Sequence, residues 1–300
     1  SKSMSIGPIL ASGSLAIMIP PSALGVILAS MGQFSVGKLL IGILLPGLLL
    51  AVVYATYVVI RCHIQPHLAP PYEVAPTPIG PRIMRTLQYV LPLVIIISIV
   101  IGTIFAGVAT PTEAAALGAL FCFLLVACYG KLTWQVITKS VAAATTISVM
   151  VFVILTGSAA FSQILAFTGI TVGITELAFS WSEHPILILI AMQVILLLLG
   201  MLIEQTSIVM ITTPIYFPIV SAFGWDPVWF GAIMLLNLEM ATISPPFGLS
   251  LFVMKGITSK TTTMGDIYRA ALPFVALNLV VMGIMIAVPG TVLWLPALMR

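Results

Sequence analysis

Three polar clusters interrupt a chain that is otherwise hydrocarbon. The first is "SGSLAIMIPPS", with Ser12, Gly13 and Ser14 followed by Pro20, Pro21 and Ser22. The second is "GMLIEQTS", with Glu204, Gln205, Thr206 and Ser207. The third is "ATISPPFGLS", with Thr242, Ser244, Pro245, Pro246 and Gly248, and Glu239 about one helical turn ahead of it. Proline lacks an N–H and blocks a helix. In hydrocarbon, the carbonyls and amides it releases must be met by protein groups, ions or a water-filled cavity. Freed carbonyls beside Ser and Thr hydroxyls make a hard-oxygen cage suited to a small cation such as Na⁺. Freed amides at the start of the next half-helix attract an anion, helped by the helix dipole. A plain kink is the structural alternative for one break. Two matched breaks and a polar hairpin tip together favour a site. Glu204 and Glu239 are acids placed inside membrane segments, where ionisable groups are costly and point to function; either could balance cation charge.

Other candidate chemistry reads as structure. Thr110 and Glu113 in "TPTEAAALG" fit a capping box with Pro111 at the first helical position. His63, His67 and His184 fall in loops, and no HExxH or Walker loop is present. These absences argue against an intramembrane protease and an ATP-driven pump. Cys62, Cys122 and Cys128 show neither metal spacing nor a disulfide framework.

The elements that must position the clusters follow from composition. Of 300 residues, 61% are hydrophobic and 6% charged, with mean hydropathy +1.24. A soluble domain carries about 25% charged residues, so a solvated surface cannot be built. Apolar runs long enough for spanning helices identify an all-α polytopic membrane protein. The net charge of +3 sits in loops; it informs topology and gives no reason to expect a nucleic-acid partner.

The pattern predicts plain spans at 39–60, 88–108, 113–129, 143–168 and 268–290. It predicts broken helices at 5–31 and 228–254, a re-entrant hairpin at 185–222, and loops at 61–87, 130–142, 170–184 and 255–267. With the hairpin making no net crossing, loops 61–87, 130–142 and 255–267 share one side and hold most of the Lys and Arg. That side is cytoplasmic by the positive-inside rule.

"IPPS" and "SPPF" also sit in matching surroundings. From Pro21 to Pro46 is 25 residues, and from Pro246 to Pro273 is 27. The two units run in opposite directions, which is the inverted-repeat pattern of secondary transporters. Residues 1–60 are then the end of a first inverted repeat, 61–87 a cytoplasmic Pro-rich loop, and 88–300 a second repeat. The chain opens without Met beside a structured motif, so it is expected to begin partway through a longer protein.

Five motifs in order, "SGSLAIMIPPS", "GVATPTEAAALGAL", "GMLIEQTSIVMITTPIYFPIV", "GWDPVWFG" and "NLEMATISPPFGLSLFVMKG", resemble the large membrane subunit of tripartite ATP-independent periplasmic (TRAP) transporters. The resemblance implies an elevator-type fold in the bacterial inner membrane and Na⁺-coupled uptake of an organic acid, with Na⁺ as coupling ion and no other cofactor. It implies a small four-helix membrane subunit and a periplasmic binding protein as partners. Carried over, cation ligands fall at Ser12, Ser14, Glu204, Thr206, Thr242 and Ser244. Substrate contacts fall at Ser12, Gly13, Ser14, Pro20, Pro21, Ser22, Thr206, Ser207, Pro245, Pro246 and Gly248. The chain departs from the family's usual residues at Glu204, Ala241 and Ser244. A binding-protein-independent divalent-anion/sodium symporter of related fold is the alternative.

Overall fold

The computed structural model describes residues 2–68, 78–181, 184–259 and 261–299, all helix, turn and connection with no strand among them. In chain order the helices are α1 (Lys2–Ser14), α2 (Ala23–Met31), α3 (Val36–Gly42), α4 (Leu44–Ile64), α5 (Ile79–Tyr89), α6 (Leu91–Phe105), α7 (Pro111–Cys128) and α8 (Trp134–Phe167). They continue as α9 (Ile170–Trp181), α10 (Pro185–Leu202), α11 (Gln205–Ala222), α12 (Pro227–Thr242), α13 (Leu249–Ile257), α14 (Met264–Ala287) and α15 (Gly290–Ala297). Among the described residues, six helical stretches are long and apolar enough to cross a membrane: Val36–Ile64, Ile79–Phe105, Pro111–Cys128, Trp134–Phe167, Pro185–Leu202 and Met264–Ala287.

The spans run longer than the hydropathy pattern predicts, and all four expected loops are partly helical; in 255–267, α13 runs on to Ile257 and α14 starts at Met264. Residues 61–87 are not a loop throughout: α4 reaches Ile64, a 3-10 turn covers Pro66–Leu68, and α5 occupies Ile79–Tyr89. Pro66 stops α4, whereas Pro81 falls in the first turn of α5, where its missing N–H has no helical partner to lose. The rest of that loop, 69–77, lies outside the described residues. Residues 134–142, expected in a loop, are the start of α8. Thr133 Oγ1 accepts from the Val136 amide at 3.3 Å there. Residues 170–181, also expected to be loop, are α9. Gly169, at φ +73°, makes the turn that separates α9 from α8. Charged residues within these stretches read as loop markers, yet helix ends tolerate them because long side chains reach the interface.

The chain divides into two compact units, residues 1–70 with 158–298, and residues 71–157 with 299–300. The larger unit is built around α12, in which every residue from Val228 to Ala241 is buried. A helix apolar on all sides belongs at the centre of its bundle. Asp226 starts it by accepting from the Val228 and Trp229 amides at 2.7 and 3.2 Å, with Pro227 at the first position. Around α12 pack α10, α14, α3 and α2.

In the smaller unit, α6 and α7 form an antiparallel pair. Gly107 makes the turn with φ +68°. Thr110 and Glu113 form the predicted capping box: the Thr110 amide donates to the Glu113 carboxylate at 2.8 Å and the Glu113 amide to Thr110 Oγ1 at 3.3 Å. The helices approach closely at Gly118, where an added Cβ would lie 2.9 Å from Val100 Cγ2.

Candidate functional site

The helix α12 ends at Thr242 because Pro245 and Pro246 can supply no N–H to continue it. The last turn tightens first: the Ile243 and Ser244 amides donate to Met240 and Ala241 carbonyls at 3.2 Å each. The chain then doubles back so closely that a Cβ on Gly248 would lie 2.4 Å from the Thr242 carbonyl oxygen. Only glycine fits that approach. The helix resumes as α13 at Leu249. Released carbonyls are met locally, with the Tyr268 hydroxyl donating to Pro246 O at 2.8 Å. Ser244, 2% exposed, donates its hydroxyl to Met240 O at 2.8 Å. Thr242 donates to Glu239 O at 2.8 Å. Both protons point back along α12, so both oxygens keep lone pairs for another partner. Glu239 itself is fully buried.

The second cluster is the tip of a helical hairpin. Helices α10 and α11 are joined at Ile203–Glu204. Tyr216 donates to Met192 O at 3.1 Å, a bond between positions about equally far from the turn, as a hairpin requires. Glu204 caps α11: one carboxylate oxygen accepts from the Ser207 amide at 3.1 Å and the other from the Thr206 hydroxyl at 2.7 Å. A carboxylate at a helix N-terminus is favoured by the unpaired amides there.

The structure brings this tip onto α12. Gln205 Nε2 donates to the Leu238 carbonyl at 2.9 Å. A Cβ on Gly200 would lie 2.5 Å from Ala241 Cβ, so α10 and α12 touch backbone-close just where α12 is about to end. The tip that carries Glu204, Thr206 and Ser207 therefore docks on the last turns of α12, the helix that leads into Thr242 and the Ser244–Gly248 break.

The first break also joins a helix to a short second helix through a Pro-Pro pair. Its chain turns through Leu15–Ile17, with Met18 and Ile19 amides both donating to Leu15 O at 3.0 Å. Ser22, 2% exposed, caps α2 by accepting from the Gly25 amide at 3.2 Å. Both Pro20–Pro21 and Pro245–Pro246 are cis. The break is held from behind by α4, where a Cβ on Gly47 would meet the Met18 carbonyl at 2.5 Å. It reaches α12 through α2, since a Cβ on Gly25 would lie 3.5 Å from Leu235 Cδ1. Packing is reciprocal: α1 lies along α14 and touches α13, while α12 lies along α3 and α2. Ser12 is exposed and bonds to Ile9 O at 3.2 Å. Gly13 has open space around its Cβ position, so no close approach explains it. Ser14 ends α1.

Neutral amide side chains away from the breaks escaped the sequence reading, which weighed acids and, at the breaks and the hairpin tip, hydroxyls. Asn237 Nδ2 donates to both the carbonyl and the side-chain oxygen of Gln193, at 2.7 and 2.8 Å. Asn278 Nδ2 donates to Tyr54 Oη at 2.7 Å. A lone Gln or Asn in an apolar run was the available signal.

Spanning helices around a hairpin tip docked on a broken helix define the class, a polytopic helical membrane protein. The family follows from comparison. The profile described as "Tripartite ATP-independent periplasmic transporter, DctM component" matches residues 1–291, and the chain belongs to that family. It is 30% identical over 296 residues to the C4-dicarboxylate TRAP transporter large permease protein DctM of Pseudomonas aeruginosa, covering 97% of this chain and 66% of that protein. It is 32% identical over 315 residues to the protein of the same description from Rhodobacter capsulatus, covering 99% and 70%. To the sialic acid TRAP transporter large permease protein SiaM of Vibrio cholerae it is 31% identical over 206 residues, covering 67% and 47%. The chain thus spans about two thirds of the length of the C4-dicarboxylate relatives. It is a membrane subunit of a TRAP transporter, a multi-pass protein of the inner membrane, and not an enzyme.

Proposed function

We propose that the chain is part of the permease that imports an organic acid, a dicarboxylate or a sialic-acid-like carboxylate, driven by Na⁺. The contact of the hairpin tip with α12 supports the reading: Gln205 of the tip bonds to the Leu238 carbonyl one turn before α12 ends, and the break that follows carries Thr242, Ser244 and the Gly248 start of α13. Discontinuous helices at such a place bind coupling ions through carbonyls and anions through amides. Relatives named for C4-dicarboxylate and sialic acid transport agree with an anionic substrate. The family description supports the two expected partners, a small membrane subunit and a periplasmic binding protein that delivers the substrate. In this reading the two Pro-Pro units are inverted repeats, supported by their reciprocal packing, and the hairpin re-enters from the periplasmic side.

The test is uptake by the reconstituted complex in liposomes, with its binding protein outside, under an imposed Na⁺ gradient and without ATP. Uptake that requires Na⁺ and stops with choline supports the proposal. Uptake at full rate in choline rejects Na⁺ coupling.

A further inference from the structure

Over residues 78–157 the smaller unit separates its charges. Between residues 78 and 157 the cations are Arg82, Arg85, Lys131 and Lys139, and the one acid is Glu113. Glu113 caps the start of α7, at one end of the α6–α7 pair. The cations gather at the other end. The α7–α8 turn carries Lys131, with Lys139 soon after the start of α8. The Tyr129 hydroxyl, two residues before Lys131, donates to the Gln88 carbonyl in the last turn of α5, which ties the Arg-bearing helix to the same end.

Helix α5 is strongly two-faced. Ile79, Ile83, Leu87 and Val90 recur at 3.6-residue spacing and are 74%, 53%, 48% and 52% exposed. Arg85 lies opposite that face and Arg82 on its flank, both exposed. Helix α5 runs on into α6 through a helical Val90, and a two-faced basic segment at the end of a span keeps its apolar face toward the acyl chains and its cations among the headgroups. Trp134 and Tyr89, 77% and 68% exposed, sit at this end as interfacial aromatics do.

A groove of about 350 Å³ starts beside the same turn. Val126 and Val136 line its mouth, next to Lys131, and Ala119, Phe123, Val141 and Ala144 line it further along α7 and α8. Its walls are apolar, as an acyl chain would need. The charge pattern places this end on the cytoplasmic side, where anionic headgroups are met.

We propose that this end of the unit is a binding site for an anionic glycerophospholipid. The headgroup phosphate lies among Arg82, Arg85, Lys131 and Lys139, and one acyl chain lies in the α7–α8 groove.

The test uses the full-length protein purified in mild detergent, titrated with phosphatidylglycerol or phosphatidylcholine, with bound lipid counted by native mass spectrometry. Phosphatidylglycerol should bind in preference. Each juxtamembrane cation contributes about fivefold, so R82Q/R85Q/K131Q should weaken phosphatidylglycerol on the order of a hundredfold. Ala144→Phe, which fills the groove, should weaken both lipids. Arg269→Gln, on α14 of the larger unit, should change neither. Unchanged thermal melting of each variant in phosphatidylcholine shows that the fold is intact. Equal binding of the two lipids, phosphatidylglycerol binding untouched by the triple variant or by Ala144→Phe, or full displacement of the lipid by inorganic phosphate would each overturn the proposal.

Discussion

Gln205 Nε2 donates to the Leu238 carbonyl at 2.9 Å, and so the first residue of α11 is fastened to α12 one turn before that helix ends at Thr242. The bond links two elements that a transport cycle must move or hold together. Gln205→Leu keeps the bulk and removes the donor. A net hydrogen bond of this kind contributes about 0.5–1.5 kcal/mol, roughly 2- to 12-fold in the equilibrium between seated and lifted tip. A cysteine at Thr206 should therefore react several-fold faster with a small thiol reagent in the Gln205→Leu background. Equal rates in the two backgrounds would show that the bond does not hold the tip.

Glycines separate close approach from chance. Gly200 and Gly248 face neighbours at 2.5 and 2.4 Å from an added Cβ, whereas Gly13 faces nothing within 4 Å. The Gly200 neighbour is a side-chain methyl on a packed helix, and the Gly248 neighbour is backbone, so neither can rotate away. Overpacking costs about 1–3 kcal/mol. Gly200→Ala and Gly248→Ala should lower the melting temperature and uptake, and Gly13→Ala should leave stability within about 0.5 kcal/mol. Melting curves of the three purified variants decide this, and a Gly13→Ala loss as large as the others would refute the steric account.

The hairpin's sidedness is a separate matter. Tyr216 donating to Met192 O at 3.1 Å shows that α10 and α11 run back along each other. In the proposed topology they enter and leave on the periplasmic face. With Cys62, Cys122 and Cys128 replaced by Ala, single cysteines at Ser182 and Phe223 should both react with an impermeant reagent applied from the periplasm. Labelling from opposite faces would make α10–α11 a net crossing and remove the charge argument for the topology.

Much of the core was legible because hydrocarbon imposes harsh rules. The breaks at Pro20–Pro21 and Pro245–Pro246, the hairpin turn at Glu204 and the Thr110–Glu113 capping box could all be read from residue type and spacing. Proline, glycine and a carboxylate have few other uses inside an apolar run. Helix ends were less legible. Arg82, Arg85 and Lys139 marked loop in the sequence, yet they sit on α5 and α8, because a long cationic side chain reaches the interface from a helical turn. The docking of Gln205 on Leu238 and of Gly200 on Ala241 was not legible. Both join segments more than 30 residues apart in sequence, and no local pattern encodes which carbonyl an amide will find. Asn237 with Gln193 and Asn278 with Tyr54 were visible as residues but not as pairs, for the same reason.

The hydroxyls at the second break allow the sharpest test. Ser244 and Thr242 donate to Met240 O and Glu239 O, each at 2.8 Å. Back-bonding of this kind also bends helices without any ligand, so geometry alone serves a kink as well as a cation site. The two roles differ in what an alanine removes. In a kink, Ser244→Ala deletes a bond within α12 and changes stability only. In a cation site it also deletes an oxygen whose lone pairs face the ion. Losing one buried polar partner costs about 1–3 kcal/mol, roughly a 5- to 150-fold rise in the Na⁺ concentration giving half-maximal uptake. Thr242→Ala should act in the same direction, and both variants keep Pro245, Pro246 and Gly248 in place. The measurement is a Na⁺ titration of uptake at matched expression for Ser244→Ala, Thr242→Ala and Gly248→Ala. A right-shifted Na⁺ response in the hydroxyl variants, with maximal rate retained at high Na⁺, places the ion at the break. A Na⁺ response identical to the parent in both, with only Gly248→Ala impaired, leaves the break a kink and takes the cation elsewhere.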